Sequence, residues 1–167
     1  MSNDRVIELF MANVAKVAAA PIRVTDLDSF KAAVGQIVLS GASVYCTDDT
    51  EWQRVALSAV PPEQLEHDYR SAGVCIDEVF AAIAETGSIV SSSAGGSAIQ
   101  AGLLASHHVA VVSSDKIYET LDDFFAIWEG ALPTNITFET GPSRTADIEL
   151  TLTIGVHGPE RLTIIIV

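Results

Sequence analysis

A glutamate at a tight turn is the first residue whose type and position suit chemistry. Glu85, Thr86 and Gly87 stand between two apolar runs at 81–84 and 88–90, a pattern that predicts two strands joined in a hairpin. Glycine supplies the positive φ that such a turn needs. A carboxylate at this turn can be held at the end of the sheet, where it accepts backbone N–H bonds, or it can be an ordinary solvated turn residue. Position alone leaves both interpretations open.

A serine- and glycine-rich loop at 91–97 leads into a predicted helix that ends near Leu104. The free N–H groups and the dipole of a helix N-terminus favour a phosphate or a carboxylate, so Gly95 and Gly96 are candidate ligand-binding residues. No lysine follows the loop, and its glycines do not fit the dinucleotide-binding pattern. A solvent-facing loop that caps the helix explains the same residues.

Arg144 is one of only nine basic residues in the chain and follows a Gly-Pro-Ser run at 141–143 that predicts the start of a short helix. A guanidinium can pair bidentately with a ligand carboxylate, or within the protein with Asp147 or Glu149. Both roles remain open. The candidate ligand-binding residues of this segment are Ser143, Arg144, Thr145 and Asp147.

The histidines and cysteines include one further candidate catalytic residue, and their spacing predicts no metal site. His157 precedes a Gly-Pro pair, where an imidazole can exchange a proton near neutral pH or simply cap a turn. His107 and His108 are adjacent, so in a strand they would face opposite ways and could not bind one metal together. Cys46 and Cys75 lie far apart without a C-x-x-C motif. We therefore expect reduced thiols, no metal and no cofactor.

The elements that must position these residues alternate between strand and helix. This order predicts an α/β fold of three layers, α/β/α, with a mixed and mostly parallel sheet and the 81–90 hairpin at the centre of its second half. Thr25 is the predicted N-cap of the second helix, and 48–67 is predicted to be a connection with one helical turn. The other predicted elements are helices at 6–17 and 117–128, strands at 42–46, 109–112, 136–138 and 162–167, and a short helix from 141.

Composition sets the class of protein. A chain of 167 residues with 49% hydrophobic residues is long enough for one packed core, which predicts a single domain. Nine basic and 22 acidic residues give a net charge of −13, which disfavours nucleic-acid binding. The N-terminal segment lacks the pattern of a secretory signal, and no run is long enough to cross a membrane. We expect a cytoplasmic protein.

Three segments carry a family resemblance: AIAETGSIV at 82–90, GPSRTADIE at 141–149 and GVHGPERLTIIIV at 155–167. Together they resemble the signature of the LUD family, which is linked to L-lactate utilisation. The resemblance covers residues 73–167, so we expect one LUD-type domain over 1–167 with a variable N-terminal part at 1–72. One departure is visible at Ser97-Ala98, where the family pattern has an Arg-Leu pair.

The resemblance implies a fold like that of coenzyme A transferases, ribose-phosphate isomerases and sugar-phosphate deaminases. It implies an accessory or regulatory subunit of lactate oxidation, associated with two iron–sulfur subunits, that binds a small carboxylate or phosphate. The alternative is an independent enzyme, either an acyl or coenzyme A transferase with Glu85 as nucleophile or a sugar-phosphate isomerase. A third hypothesis is an interaction protein with an acidic surface.

These hypotheses share one geometric expectation. Glu85, Gly95-Gly96, Arg144 and His157 each stand at a turn or a helix start after a strand, and in open α/β sheets such ends gather at one edge. We expect them to surround one ligand, with Glu85 and His157 as the catalytic candidates and Arg144 as the anion clamp. Thr86 and Gly87 complete the predicted site.

Overall fold

Five parallel strands form the main sheet of the computed structural model, which describes residues 3–93, 99–126, 133–146, 152–154 and 158–167. Their order is β1-β11-β6-β3-β2, and every pair runs parallel. Every residue of β6 is buried, so this strand is covered on both faces of the sheet, as the apolar run at 109–112 predicts. The strands are β1 (Ala20–Arg23), β2 (Val44–Cys46), β3 (Val74–Glu78), β6 (His107–Val112) and β11 (Arg161–Ile166).

The predicted hairpin lies at the centre of a second, four-stranded sheet. Its strands follow the order β7-β4-β5-β8, and the turn between β4 and β5 places Gly87 at φ +69°. Ile83 of this hairpin and Val111 of the main sheet are both fully buried, as predicted. The strands are β4 (Ala81–Ile83), β5 (Ser88–Ser92), β7 (Ile117–Tyr118) and β8 (Ile136–Glu139), while β9 (Arg144–Ala146) and β10 (Leu152–Ile154) form a separate antiparallel pair.

Helices and the second sheet cover the two faces of the main sheet. On one face, α2 and α3 pack over a core that includes Val109, Val111 and Ile165. On the other face, α1 and the second sheet enclose a core that includes Ala110 and Ile164. The predicted α/β class with three layers is thereby confirmed. The helices are α1 (Asn3–Lys16), α2 (Leu27–Val38), α3 (Glu51–Leu57), α4 (Gln100–Leu104) and α5 (Leu121–Ala126).

Two helix starts differ from the sequence prediction, one by a misplaced capping residue and one by a capping residue that was not predicted. The N-cap of α2 is Asp26, whose Oδ1 accepts the Ser29 N–H at 2.7 Å, and not Thr25. In the connection predicted at 48–67, Thr50 and Gln53 form a reciprocal capping box. This box starts the seven-residue helix α3, which is longer than the single turn expected.

Further segments differ from the prediction, among them strands β3 and β10, which were not predicted. The helix predicted from residue 117 begins only at Leu121, because Ile117 first extends the second sheet beside Ala82. The segment after Gly141, which has a φ of +72°, continues as strand β9 and not as a helix. Strand β1 was not predicted, because its Pro21 has no backbone N–H to donate to a neighbouring strand. The proline is tolerated because β1 lies at an edge of the sheet.

Among the helices that the structure describes, none has the length and apolar character needed to cross a bilayer.

Candidate functional site

A cavity of about 460 Å³, called cavity I below, opens where strands β2, β3 and β6 end at their carboxyl termini. The chain after β2 passes to the face covered by α3, whereas α4 packs on the opposite face against Cys75 of β3. A crevice forms where neighbouring strands send their connections to opposite faces, and it is the usual ligand site of open α/β sheets. Its charged and aromatic lining includes Tyr45, Asp49, Asp77, Glu78, Asp115 and Lys116.

The lining of cavity I is acidic. Four of those six side chains are carboxylates and only Lys116 is a cation. The Oε2 atom of Glu78 is buried and has no hydrogen-bond partner among the described residues. Such a lining repels a carboxylate or a phosphate, so cavity I does not suit the anionic ligand that the sequence predicts.

A buried chain of three side chains runs inward from cavity I. The Nε2 atom of His108 lies 2.6 Å from Oδ1 of Asp77, and its Nδ1 lies 2.8 Å from Oε2 of Glu139. The side chain of His108 is 1% exposed, against 24% for Asp77 and 9% for Glu139. With both carboxylates ionised, each can only accept a hydrogen bond, so both ring nitrogens donate and the imidazole carries a positive charge.

The charge state of His108 follows from two opposed effects. Burial by itself lowers the pKa of an imidazole. Here the negative charge of Asp77 and the hydrogen bonds to Asp77 and Glu139 outweigh that effect and raise the pKa of His108 to about 10. His108 is therefore an imidazolium at neutral pH, shared by two carboxylates.

A second cavity, of about 600 Å³ and called cavity II below, lies at the other end of that chain. Glu139 is part of its lining, together with the side chains of Lys16, Ser143 and Arg144. Arg144 is exposed, and it forms no ion pair with any residue that the structure describes. Since His108 offsets the charge of Glu139, Lys16 and Arg144 are the charged groups that remain among the described lining residues of cavity II.

Glu85 lies at the hairpin turn and belongs to the lining of neither cavity. Its Oε1 accepts the backbone N–H of Leu121, the first residue of α5, at 2.8 Å. Asn13 of α1 donates to the carbonyl oxygens of Ala84 and Glu85 at 2.8 and 3.2 Å. The carboxylate that the sequence offered as a nucleophile thus satisfies the start of a helix.

Thr86 connects the same turn to cavity II through hydroxyl groups. Its Oγ1 lies 2.7 Å from the hydroxyl of Ser88, which in turn lies 2.6 Å from the hydroxyl of Thr140 in the lining of cavity II. Gly87 makes room for α1, since a Cβ there would stand 2.7 Å from the backbone of Asn13 and Val14. Thr86 thus links the turn to the lining of cavity II, and Gly87 lets the turn pack closely against α1.

Of the predicted site residues, the structure brings Ser143 and Arg144 into one cavity and places the backbone of Thr145 in the adjoining strand β9. Four others, Gly95, Gly96, Asp147 and His157, lie outside the described residues. The convergence of Glu85, the glycine loop, Arg144 and His157 on one ligand thus stays a prediction.

Sequence reasoning missed Asp77, His108 and Glu139. It correctly placed His107 and His108 on opposite faces of a strand, since His107 Nε2 meets Thr163 Oγ1 at 2.8 Å on the far side. The signal that could have found His108 is its place directly before the apolar run at 109–112, because a histidine buried with such a strand needs polar partners. Its partners come from two other strands, and no local pattern marks them.

Sequence comparisons give three likenesses to known proteins. The sequence profile of the LUD domain matches residues 51–167. The lactate utilization protein C of Halalkalibacterium halodurans is 24% identical over 99% of this chain and 80% of its own length. That of Geobacillus sp. (strain WCH70) is 36% identical, but the match spans 51% of this chain and 38% of the relative.

A solved structure shares the fold. The crystal structure of a DUF162 family protein from Deinococcus radiodurans matches with a TM-score of 0.71 at 18% identity, over 99% of this chain and 98% of that one. The arrangement of helices around a mostly parallel sheet is therefore that of a known fold.

Proposed function

Because the chain belongs to the LUD domain family, whose profile matches residues 51–167, we propose that it serves L-lactate utilisation by binding a small carboxylate or phosphate in cavity II. It acts there as an accessory or regulatory subunit. The similar proteins named lactate utilization protein C support the association with lactate. The ligand class rests on the charges of the cavity.

The observation that carries this proposal is the separation of charge between the two cavities. The protein has a net charge of −13, and cavity I is lined by carboxylates. Cavity II instead holds Lys16 and Arg144, with the hydroxyl of Ser143 beside them. A guanidinium binds a carboxylate or phosphate through paired hydrogen bonds, and a lysine adds a second positive charge.

The partners of this subunit would be the iron–sulfur subunits that carry out the oxidation. This part of the proposal follows from the family resemblance alone, and co-purification with iron–sulfur proteins from a lactate-grown cell tests it.

Independent acyl transfer by Glu85 has less support. A nucleophilic carboxylate needs a cavity in front of it, whereas Glu85 lines neither cavity and holds the amide of Leu121. We therefore place Glu85 among the residues that maintain the fold around α5.

Calorimetric titration with L-lactate, pyruvate and inorganic phosphate tests the anion site. Arg144→Ala should weaken the binding of the best of these by about 1.5–3 kcal/mol, the range for hydrogen bonds to charged groups. Arg5→Ala is the matched control, because it removes the same charge from an exposed position outside both cavities. Absence of binding by the parent protein, or an equal loss in both variants, would contradict the proposal.

A further inference from the structure

The chain Asp77–His108–Glu139 joins the two cavities through the protein interior. Asp77 lines cavity I and Glu139 lines cavity II, and the ring of His108 lies between them with hydrogen bonds of 2.6 and 2.8 Å. Both carboxylates thus share one cation. A change of charge at either carboxylate is transmitted to the other through this ring.

We propose that Asp77 sets the charge of cavity II from cavity I, by holding His108 in the cationic form that neutralises Glu139. The proposal rests on the proposed function, because it concerns the regulation of the same anion site. Asp77 and His108 are positioning residues in this scheme. They touch no ligand in cavity II and act through Glu139.

Glu139 depends on His108 for its counter-charge. Its side chain is 9% exposed, and its Oε1 has no hydrogen-bond partner among the residues described. Within that part of the chain, His108 is its one ion-pair partner. If the ring loses its proton, a buried negative charge remains uncompensated beside cavity II and opposes the binding of an anion.

Few ionisable groups besides these three face the ring. Strand β3 presents Asp77 and Cys75, and burial raises the pKa of the Cys75 thiol well above its usual range, so that thiol stays neutral. Strand β8 presents Glu139, and the described helix α4 carries no ionisable side chain. His107 lies on the opposite face of the sheet against Thr163. Between about pH 6 and pH 9 the charge of this cluster is therefore set by Asp77, His108 and Glu139.

Asp77→Asn tests the charge of Asp77 apart from the hydrogen bond that its side chain forms with His108. Asparagine keeps an acceptor for the ring but removes the negative charge that holds the proton on His108. His108 should then lose its proton within the ordinary pH range. In that variant the affinity of cavity II for an anion should fall as the pH rises, whereas the parent should show no such dependence.

The experiment combines calorimetric titration of L-lactate, which is ionised throughout this range, with nitrogen NMR of the His108 ring. Between about pH 6 and pH 8.5, the affinity of the parent should stay constant and that of Asp77→Asn should fall about fivefold or more, the lower range for coupling between sites. Asp115→Asn is the matched control, because it neutralises another carboxylate of cavity I that has no bond to His108.

Each outcome decides the matter. A neutral His108 in the parent at pH 7.5 overturns the proposal, and so does an Asp77→Asn variant whose ring deprotonates early without any change in lactate affinity. An equal effect of Asp115→Asn shows general electrostatics and also overturns it. Asp77→Ser, which is smaller and neutral, provides the same test if the asparagine variant does not fold.

Failure of the proposed function is recognised separately. If the parent binds no anion, the amide resonances of Thr140 and Ser143 in cavity II still report the local charge. In Asp77→Asn they should shift with pH in step with the His108 ring. Coincident shifts support the link without an anion site, and pH-independent resonances overturn the link itself.

Discussion

Gly102 of α4 lies directly against the imidazole of His108: a Cβ built on Gly102 would stand 2.5 Å from both Cε1 and Nε2 of the ring. Only a residue without a side chain leaves the ring room to reach Asp77 and Glu139 together. Position 102 thus needs a glycine because the His108 ring occupies the space of a side chain, and not because its backbone has a positive φ.

Gly102→Ala should therefore destabilise the protein by about 1–3 kcal/mol, the cost of overpacking a core, and should also shift the ring resonances of His108. Gly35→Ala is the control, since Gly35 lies within α2 with nothing within 4 Å of the added Cβ. That change should stabilise the protein by about 0.5–1 kcal/mol through helix propensity. Urea unfolding measures both, and a neutral Gly102→Ala would contradict the close packing.

Alkaline pH should weaken the fold through His108. The pKa of the ring rises from its ordinary value of 6.5 to about 10 in the folded protein, so the folded state holds a proton that the unfolded chain releases. This contribution to stability is complete below about pH 6.5 and is lost as the pH rises through about 10. Unfolding free energies of the parent should fall over this range, and those of His108→Gln should fall less.

Acidic pH should weaken the fold through His107. Burial, together with the nearby charge of Arg161, lowers the pKa of His107 to about 4, so the folded protein keeps the ring neutral. The unfolded chain takes up a proton below about pH 6.5 and the folded protein does not. Stability should then decline as the pH falls from about 6.5 to about 4, and His107→Asn should flatten that decline. An unchanged profile in the variant would rule out His107 as its source.

Glu85 should behave as a structural residue. Glu85→Ala removes the acceptor for the Leu121 amide and should cost about 1 kcal/mol, the usual net value of one hydrogen bond. Glu85→Gln keeps an acceptor oxygen and should cost less. Chemical unfolding followed by circular dichroism compares the two, and an anion titration of Glu85→Gln should match that of the parent.

The fold was predictable because its signals are local. The apolar run of β6 and the Thr86-Gly87 turn indicate a buried strand and a hairpin without reference to the rest of the chain. The elements that were wrong or missed, such as β1 with its Pro21, depend on a partner far along the sequence. Tertiary pairing overrides local preference there.

The site was less predictable for the same reason. Arg144 and Ser143 could be proposed because they are neighbours in a recognisable segment, and they do share cavity II. Asp77 and Glu139 each stand 31 positions from His108, on opposite sides of it in the sequence. Only the register of three strands brings them to one ring, and a carboxylate in a strand otherwise resembles any other polar residue.

The order of the main sheet also has a consequence for synthesis on the ribosome. Strand β1 pairs with β11, and Ala20 lies beside Thr163, so the partner residue is synthesised 143 residues after Ala20. Since β11 also lies between β1 and β6, the edge of β6 that pairs with β11 stays open from the synthesis of Val112 until β11 has been made. At about 5–20 residues per second this lasts several seconds, long enough for a holding chaperone to act on the edge of β6.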